Sequence, residues 1–353
     1  MKTIRSGMPS LHPNQIFAMT YRKYVSAGAL TAIAFLTMPQ SAAAQPATAG
    51  VGQAFPARAM RLVVPFAPGG STDTLARIVG QRWAESLGQP VVVDNRPAAG
   101  GIVGADLVAK SQPDGYTSLV GAISTMAIAP ALYAKLPYHA LNDFAHAGLW
   151  VTFPLVLSVP GGSQMTHLQS FIDTARAKPG ALRFSAQGIG TSSHIFAEWM
   201  NSLAKIKVVI VPYKGGGPAT TDAIGGQIDF AVTSVAVPGP HIRAGRLRAV
   251  VSTGEKRSHV VPDTPTLIES GLPGFSAQAW WGWVAPAGLS RPLLNRVHGE
   301  LMKAYAQPEL RRQLTEQFGM DLVVGTPEAM TQFVATEIAR WSKVVKEHGI
   351  RAD

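Results

Sequence analysis

The stretch Arg61-Leu-Val-Val-Pro-Phe-Ala-Pro-Gly-Gly-Ser-Thr-Asp73 decides how this chain is read. Leu62 to Pro65 is a short apolar strand, and Pro68-Gly69-Gly70 breaks it. Ser71-Thr72-Asp73 then supplies residue types that cap a helix start. The helix beyond is patterned, with Leu75, Ile78, Val79, Trp83 and Leu87 on one face. A strand, a glycine turn and a helix start leave backbone N–H groups pointing into a loop. Such a loop binds an anion without any charged side chain.

The same grammar repeats outward. Gln89 to Asp94 reads as a second strand, Asn95 to Gly101 as a glycine-rich turn, and Ile102 to Lys110 as a short helix. After the turn Pro113-Asp114-Gly115, Tyr116 to Gly121 is a third strand, and Ser124-Thr125-Met126 opens a helix ending near Tyr133. Strands alternating with helices imply βαβ units and a parallel sheet. Phe144 to Leu149 and Leu155 to Val159 are two apolar runs separated by Pro154, and here the chain leaves the first domain. A second α/β set follows. Its helices are Thr166 to Lys178, Thr191 to Leu203, Pro218 to Gly225 and Pro238 to Gly245. Its strands are Leu182 to Ser185, Val208 to Val211, Ile228 to Val232 and Leu247 to Thr253. Gln278 to Val284, carrying Trp280, Trp281 and Trp283, brings the chain back. Helices Leu293 to Tyr305, Pro308 to Gln317 and Pro327 to Glu347 end it.

These elements give an α/β fold of two lobes, each a mostly parallel sheet flanked by helices, joined by two crossovers. Lobe 1 is 59–153 with 279–353, and lobe 2 is 154–278. Ligands of open α/β sheets lie beyond the carboxyl ends of the strands, so both lobes face one cleft.

The 353 residues, 46% hydrophobic and 15% charged, suffice for two such domains. The absence of cysteine excludes disulfides, thiolate catalysis and Cys-ligated metal. Residues 1–44 read as a signal peptide. Arg22-Lys23 is the positive flank, Val25 to Met38 the apolar run, and Ser41-Ala42-Ala43-Ala44 the small-residue site, with cleavage near Ala44. That run of about 14 residues falls short of the roughly 20 that span a bilayer. The start is Met1 or Met19. Removing the four positive charges of residues 1–44 leaves 27 basic residues against 21 acidic. No Lys/Arg cluster stands out beyond Arg243-Ala-Gly-Arg246-Leu-Arg248, so nucleic acid is not an expected partner. A mild positive field favours capture of small anions.

Three loops share one design: Phe66 to Asp73, Ser185 to His194, and Pro212 to Pro218. Each follows an apolar strand, has glycine where backbone must come close to something, and offers N–H groups or hydroxyls. That suits a carboxylate, which only accepts hydrogen bonds. Asp73 stabilises the first helical turn or bonds a ligand amine or hydroxyl. His194 bonds its own loop or the ligand, and Tyr213 packs between lobes or closes over the ligand. The three tryptophans are core or hinge packing, or else wall the cleft mouth. No Gly-x-Ser-x-Gly elbow, His-Glu-x-x-His motif or nucleotide P-loop is present, and the nine histidines lack metal-ligand spacing. No catalytic residue, metal or cofactor is therefore expected.

As a set these loops resemble the Bug family, the periplasmic solute-binding proteins of tripartite tricarboxylate transporters. The matching residues are Arg61 to Asp73 with Ala76-Arg77, Val93 to Gly101, Pro113 to Tyr116, Gly188-Ile-Gly190-Thr-Ser-Ser-His194, Val211-Pro212-Tyr213-Lys214-Gly215 and Gly226-Gln-Ile-Asp229. The resemblance implies a type II periplasmic binding-protein fold closing on a dicarboxylate, tricarboxylate, amino acid or aromatic acid. It places the ligand loops at Ala67, Pro68, Gly69, Gly70, Ser71 and Asp73; at Gly188, Gly190, Thr191, Ser193 and His194; and at Tyr213, Lys214, Gly215 and Gly216. Ser124, Thr125, Thr233 and Ser234, at strand ends, are further candidates. The implied partners are membrane transporter subunits or a sensor kinase, served by a monomer in the periplasm. An exported hydrolase using His194 with a cleft serine is the rival. Trp150 and the Trp280–Trp283 cluster are heavier than the usual pattern and point to an aromatic or bulky acid.

Overall fold

The computed structural model describes residues 55–272, 277–323 and 325–352, with the side chains of residues 149 and 150 left aside. The signal-peptide reading, and the Trp150 side chain, lie outside the described residues. In chain order the elements are β1 (Met60–Val64), α1 (Ser71–Leu87), β2 (Val91–Asn95), a short turn of helix at Ala99–Gly101, α2 (Ile102–Ala109), β3 (Thr117–Ala122), a wide helical turn at Ser124–Ile128, α3 (Ala129–Leu132) and β4 (Phe144–Pro160). Then come α4 (Leu168–Ala177), β5 (Arg183–Ala186), α5 (Ser192–Ala204), β6 (Val209–Pro212), α6 (Gly216–Ile224), β7 (Ala231–Ser234), α7 (Gly239–Arg243) and β8 (Leu247–Ser252). The chain returns through β9 (Gln278–Pro286), α8 (Arg291–Ala306), α9 (Pro308–Arg312), β10 (Asp321–Leu322) and α10 (Pro327–Glu347).

The fold is α/β, with mixed rather than purely parallel sheets. β2, β1 and β3 pair in parallel, as βαβ units must. β9 then joins β3 antiparallel, and β4 joins β9 antiparallel. β4 and β9 are the crossovers: β9 runs against β1, β2 and β3, whereas β4 runs with those three and against the strands it meets in the other half. In the other half β5 and β6 pair in parallel, while β7 and β8 flank β4 antiparallel.

The two apolar runs expected around Pro154 are one continuous strand. β4 pairs β9 from Phe144 to Pro154, and β7 from Leu155 onward. Pro154, which has no N–H to give a ladder, sits at the rung where β4 changes partners. The Leu155 N–H is taken instead by the Thr253 hydroxyl at 2.9 Å.

α1 buries Leu75, Val79, Trp83 and Leu87 and ends at Gly88, whose φ of 68° closes the helix. The fully buried Trp83 meets Trp283 edge-on, with ring centroids 5.7 Å apart. Its truncation to alanine is worth about 3–5 kcal/mol. α10 starts at Thr326, whose hydroxyl accepts from the Ala329 N–H, and buries Met330, Val334, Trp341 and Val344. Its buried Glu337 accepts from the indole N–H groups of Trp280 (3.0 Å) and Trp341 (3.1 Å). Trp281 packs on Phe153, with centroids 4.1 Å apart. The tryptophan cluster is therefore core and does not wall a cleft, and the aromatic-ligand hint drawn from it loses its support.

Candidate functional site

Carboxyl ends of strands from both halves meet along one seam. β1 leads into Phe66–Gly70, β2 into Arg96–Gly101, β3 into Ser124–Thr125, β5 into Gln187–Gly190, and β6 into Tyr213–Gly215. The predicted loops come together. The Ala67 N–H donates to the Lys214 carbonyl at 3.1 Å, across the seam. A methyl group built on Gly217 would lie 3.2 Å from the Gly69 carbonyl oxygen, and one on Gly70 would lie 3.9 Å from the Gly216 nitrogen. The second loop touches a segment not placed among the ligand loops. A Cβ on Gly100 would lie 2.5 Å from the Ile189 carbonyl oxygen, an approach only glycine permits.

Three helix N-termini open on this seam: α1 after Gly70, α5 after Thr191 and α6 after Gly215. None has a side-chain cap. α6 begins at Gly216 rather than Pro218, because two glycines of the triplet have already entered the helix. At α5 the Ser192 N–H is taken by the Ser124 hydroxyl at 3.2 Å. Uncapped first turns present N–H groups and the positive end of the helix dipole, the elements of an anion site.

The predicted polar residues mostly brace the loops. Asp73 accepts from the Gly69 N–H (3.0 Å) and Arg77 (3.1 Å). Arg77 reaches on to the Asn95 side-chain oxygen Oδ1 at 3.2 Å, and the Asn95 side-chain Nδ2 donates to the Phe66 carbonyl at 3.0 Å. Burial pushes the Asp73 carboxyl up, but Arg77, the Gly69 N–H and Asn95 outweigh it and hold the group below its usual range. At the second loop the Thr191 hydroxyl donates to the Gly188 carbonyl (2.7 Å), and Ser193 accepts from the Gln187 N–H (2.7 Å). His194, buried, accepts through Nδ1 from the Gly190 N–H at 3.4 Å. Burial lowers its pKa, outweighing the opposing pull of Glu198. Thr125 is bonded to Ala122, and Thr233 is buried under Gly216. Ser234 is buried with its hydroxyl unpartnered among the described residues. The Tyr213 hydroxyl donates to Asp222 within its own half at 2.8 Å, and that carboxylate adds to burial in pushing the phenol up to about 12.

Two cavities open beside the seam and share no lining residue. The smaller, about 270 Å³, meets all three predicted loops through Phe66, Gln187–Ile189 and Tyr213–Lys214. Its other wall is Pro97–Gly101 and Tyr133. The larger, about 470 Å³, is lined by Pro68, Gly69, Ser71, Thr74 and Leu75, by Gly217, Pro218, Thr220 and Thr221, and by Ala236, Val237, His241, Phe318 and Met320. The smaller cavity, where every predicted loop contributes, is the candidate site. Lys214 is its one charged lining residue. Sequence reasoning missed Ala98–Gly101 as a wall, although Gly100-Gly101 was a visible signal. Tyr133 carried no signal at all. Among the described residues no group of three or more His, Cys, Asp or Glu is placed to hold a metal.

Comparison with known proteins settles the family. The family model for the tripartite tricarboxylate transporter family receptor, TctC, matches residues 75–350. The chain belongs to this family. It is 35% identical to Protein BugT of Bordetella pertussis, over 86% of this chain and 95% of that protein. Among solved structures it resembles MatC (Rpa3494) from Rhodopseudomonas palustris with bound malate. There the TM-score is 0.78 and the identity 35%, covering 82% of this chain and all of the other (100%). It also resembles R. palustris Rpa4515 with adipate, at TM-score 0.80 and 31% identity, covering 84% and 99% of the two chains. TctC proteins are periplasmic solute-binding proteins rather than enzymes. No helix among the described residues is long and apolar enough to cross a membrane.

Proposed function

We propose that this TctC-family chain captures a small dicarboxylate in the 270 Å³ cavity and delivers it to a tripartite tricarboxylate-type membrane transporter. The observation that carries this reading is the meeting of Phe66, Gln187–Ile189 and Tyr213–Lys214, loop residues from both halves of the chain, around one cavity. The Ala67, Gly69 and Gly190 N–H groups are engaged by Lys214, Asp73 and His194, so the donors offered to the ligand are the main-chain N–H groups of Gly188, Ile189 and Lys214, which line the cavity. Ala98–Gly101 and Tyr133 shape its far end. Asp73, Ser193 and His194 hold the donors in place, and Ser124, Thr125, Thr233 and Ser234 support them from the strand ends. The malate- and adipate-bound relatives favour a dicarboxylate over an aromatic acid. The lobes are 59–153 with 279–353, and 154–278. The protein acts as a periplasmic monomer after cleavage near Ala44.

Neutral donors suit delivery, since no ion pair must break for the ligand to leave. Thermal-shift measurement against malate, adipate and a wider carboxylate panel tests the reading. A true ligand at about 100–1,000 times its dissociation constant stabilises by roughly 3–4 kcal/mol. No shift with any carboxylate contradicts it. Loss of uptake on gene deletion, with induction intact, supports a transporter rather than a sensor partner.

A further inference from the structure

Granted that the smaller cavity takes the dicarboxylate, the side-chain oxygens on its wall decide which one. Gln187 lines it and is half-buried. Its side-chain Nε2 donates to the Val232 carbonyl at 3.2 Å, and its main-chain N–H to the Ser193 hydroxyl at 2.7 Å. A carbonyl only accepts, so the Val232 bond fixes which end of the amide is which. The nitrogen is spent on the protein and Oε1 is left over. Oε1 has no hydrogen-bond partner among the described residues, yet it keeps accessible surface. The other polar side chains of the wall differ. The Tyr213 hydroxyl is committed to Asp222. The Tyr133 hydroxyl also lacks a partner among the described residues, but a hydroxyl can donate and so suits a carboxylate. Gln187 Oε1 accepts only. A carboxylate, itself acceptor-only, cannot answer it, so the ligand must bring a donor of its own. An ammonium group answers poorly, because no acidic side chain lines the cavity and the cationic Lys214 does. A hydroxyl is the neutral donor that fits. Gln187 directly precedes Gly188 and Ile189, whose N–H groups are offered to a carboxylate, so that hydroxyl stands on the carbon next to it.

We propose that Gln187 is a specificity-determining residue, and that it makes the cavity prefer a 2-hydroxy-dicarboxylate over the same acid without the hydroxyl or with an amino group in its place. Oε1 accepts from the ligand hydroxyl. Gly188 and Ile189 donate to the adjoining carboxylate, and the Tyr133 hydroxyl, from the other half of the chain, donates to the second one. Val232 lies on β7, so the amide that reads the hydroxyl is pinned to a strand rather than to a loop.

Malate, succinate and aspartate differ only in the group on one carbon, and calorimetric titration of the exported protein with all three is the test. Wild type binds malate roughly tenfold more tightly than succinate, the scale of one hydrogen bond, and more tightly than aspartate. Gln187→Met keeps the length of the side chain, drops its oxygen, and erases the ratio between malate and succinate. Tyr133→Phe weakens both and keeps the ratio. A merely structural role for Gln187 would weaken all three acids together with their ratios intact, and that result overturns the proposal. Equal affinity of wild type for malate and succinate overturns it too, while leaving the dicarboxylate site standing. Binding of none of these acids, nor of adipate, removes the site and this selection with it.

Discussion

The glycine corners on the two sides of the seam are built in opposite ways. Pro68-Gly69-Gly70 is held by side chains, through the run from the Gly69 N–H to Asp73, Arg77, Asn95 and the Phe66 carbonyl. Gly215-Gly216-Gly217 is defined by their absence. Gly215 has a φ of 148°, no side chain caps α6, and the corner meets its counterpart through the Ala67–Lys214 bond. The side-chain bonds that brace the first corner lie within residues 66–95. The second is bare so that backbone can approach backbone. One corner is thus braced by side chains and the other is bare backbone.

The comparison breaks most readily at Asp73. Asp73→Ala frees the Gly69 N–H and takes from Arg77 its carboxylate partner, leaving it the Asn95 side-chain oxygen. Carboxylate affinity is expected to fall about a hundredfold, equivalent to about 2.7 kcal/mol. Stability is expected to fall by about 1–3 kcal/mol. Calorimetry and urea denaturation check the two separately, and retained affinity would show that the brace is dispensable.

Gly217→Ala tests the bare corner with a smaller and more selective effect. The residue is helical, so alanine is favoured there by roughly 0.5–1 kcal/mol. Its methyl group, however, would sit 3.2 Å from the Gly69 carbonyl oxygen when the halves meet. The expected result is a midpoint temperature unchanged or raised, with affinity lowered about tenfold, or about 1.4 kcal/mol. An alanine variant that binds like wild type would mean that close approach is not required.

Acid separates the corners further. His194 is neutral in the fold with its pKa lowered, so the stability of its loop is lost as pH falls below 6.5 toward the folded value. Asp73 is also lowered, from 3.8, so its contribution persists until pH falls below that and through its folded value. The α5 corner thus weakens first. His146, which burial pushes down to about 4 despite its bond to the Ala140 carbonyl, acts in the same direction as His194. It contributes a loss of up to about 3 kcal/mol between pH 6.5 and 4. Denaturation across pH should show His194→Gln flattening only part of that decline, and Asp73→Asn lowering stability throughout but changing its pH slope only below pH 4.

Much of this was legible in the sequence. The apolar spacing that predicts α1 and α10 is what the core buries, and Gly69 and Gly190 carry the positive φ that a glycine turn before a helix demands. Directions were less legible. Periodicity reads strands but not partners, so β4 and β9 were not seen as antiparallel, and Pro154 looked like a break when it marks a change of neighbour. The roles of polar residues were also hidden. Asp73 and His194 look like ligand contacts because they stand beside glycines, yet their hydrogen bonds close onto their own loops. Tyr133 enters only because folding brings it against Gly190, nearly sixty residues on.

A crystal structure of the exported protein with adipate or malate tests the central claim most directly. The account predicts a carboxylate in the cavity bounded by Phe66, Gly100, Gly188 and Lys214. Its oxygens lie about 3 Å from the main-chain N–H groups of Gly188, Ile189 or Lys214. A dicarboxylate held instead by arginine or lysine side chains, or bound to one half alone, would contradict it.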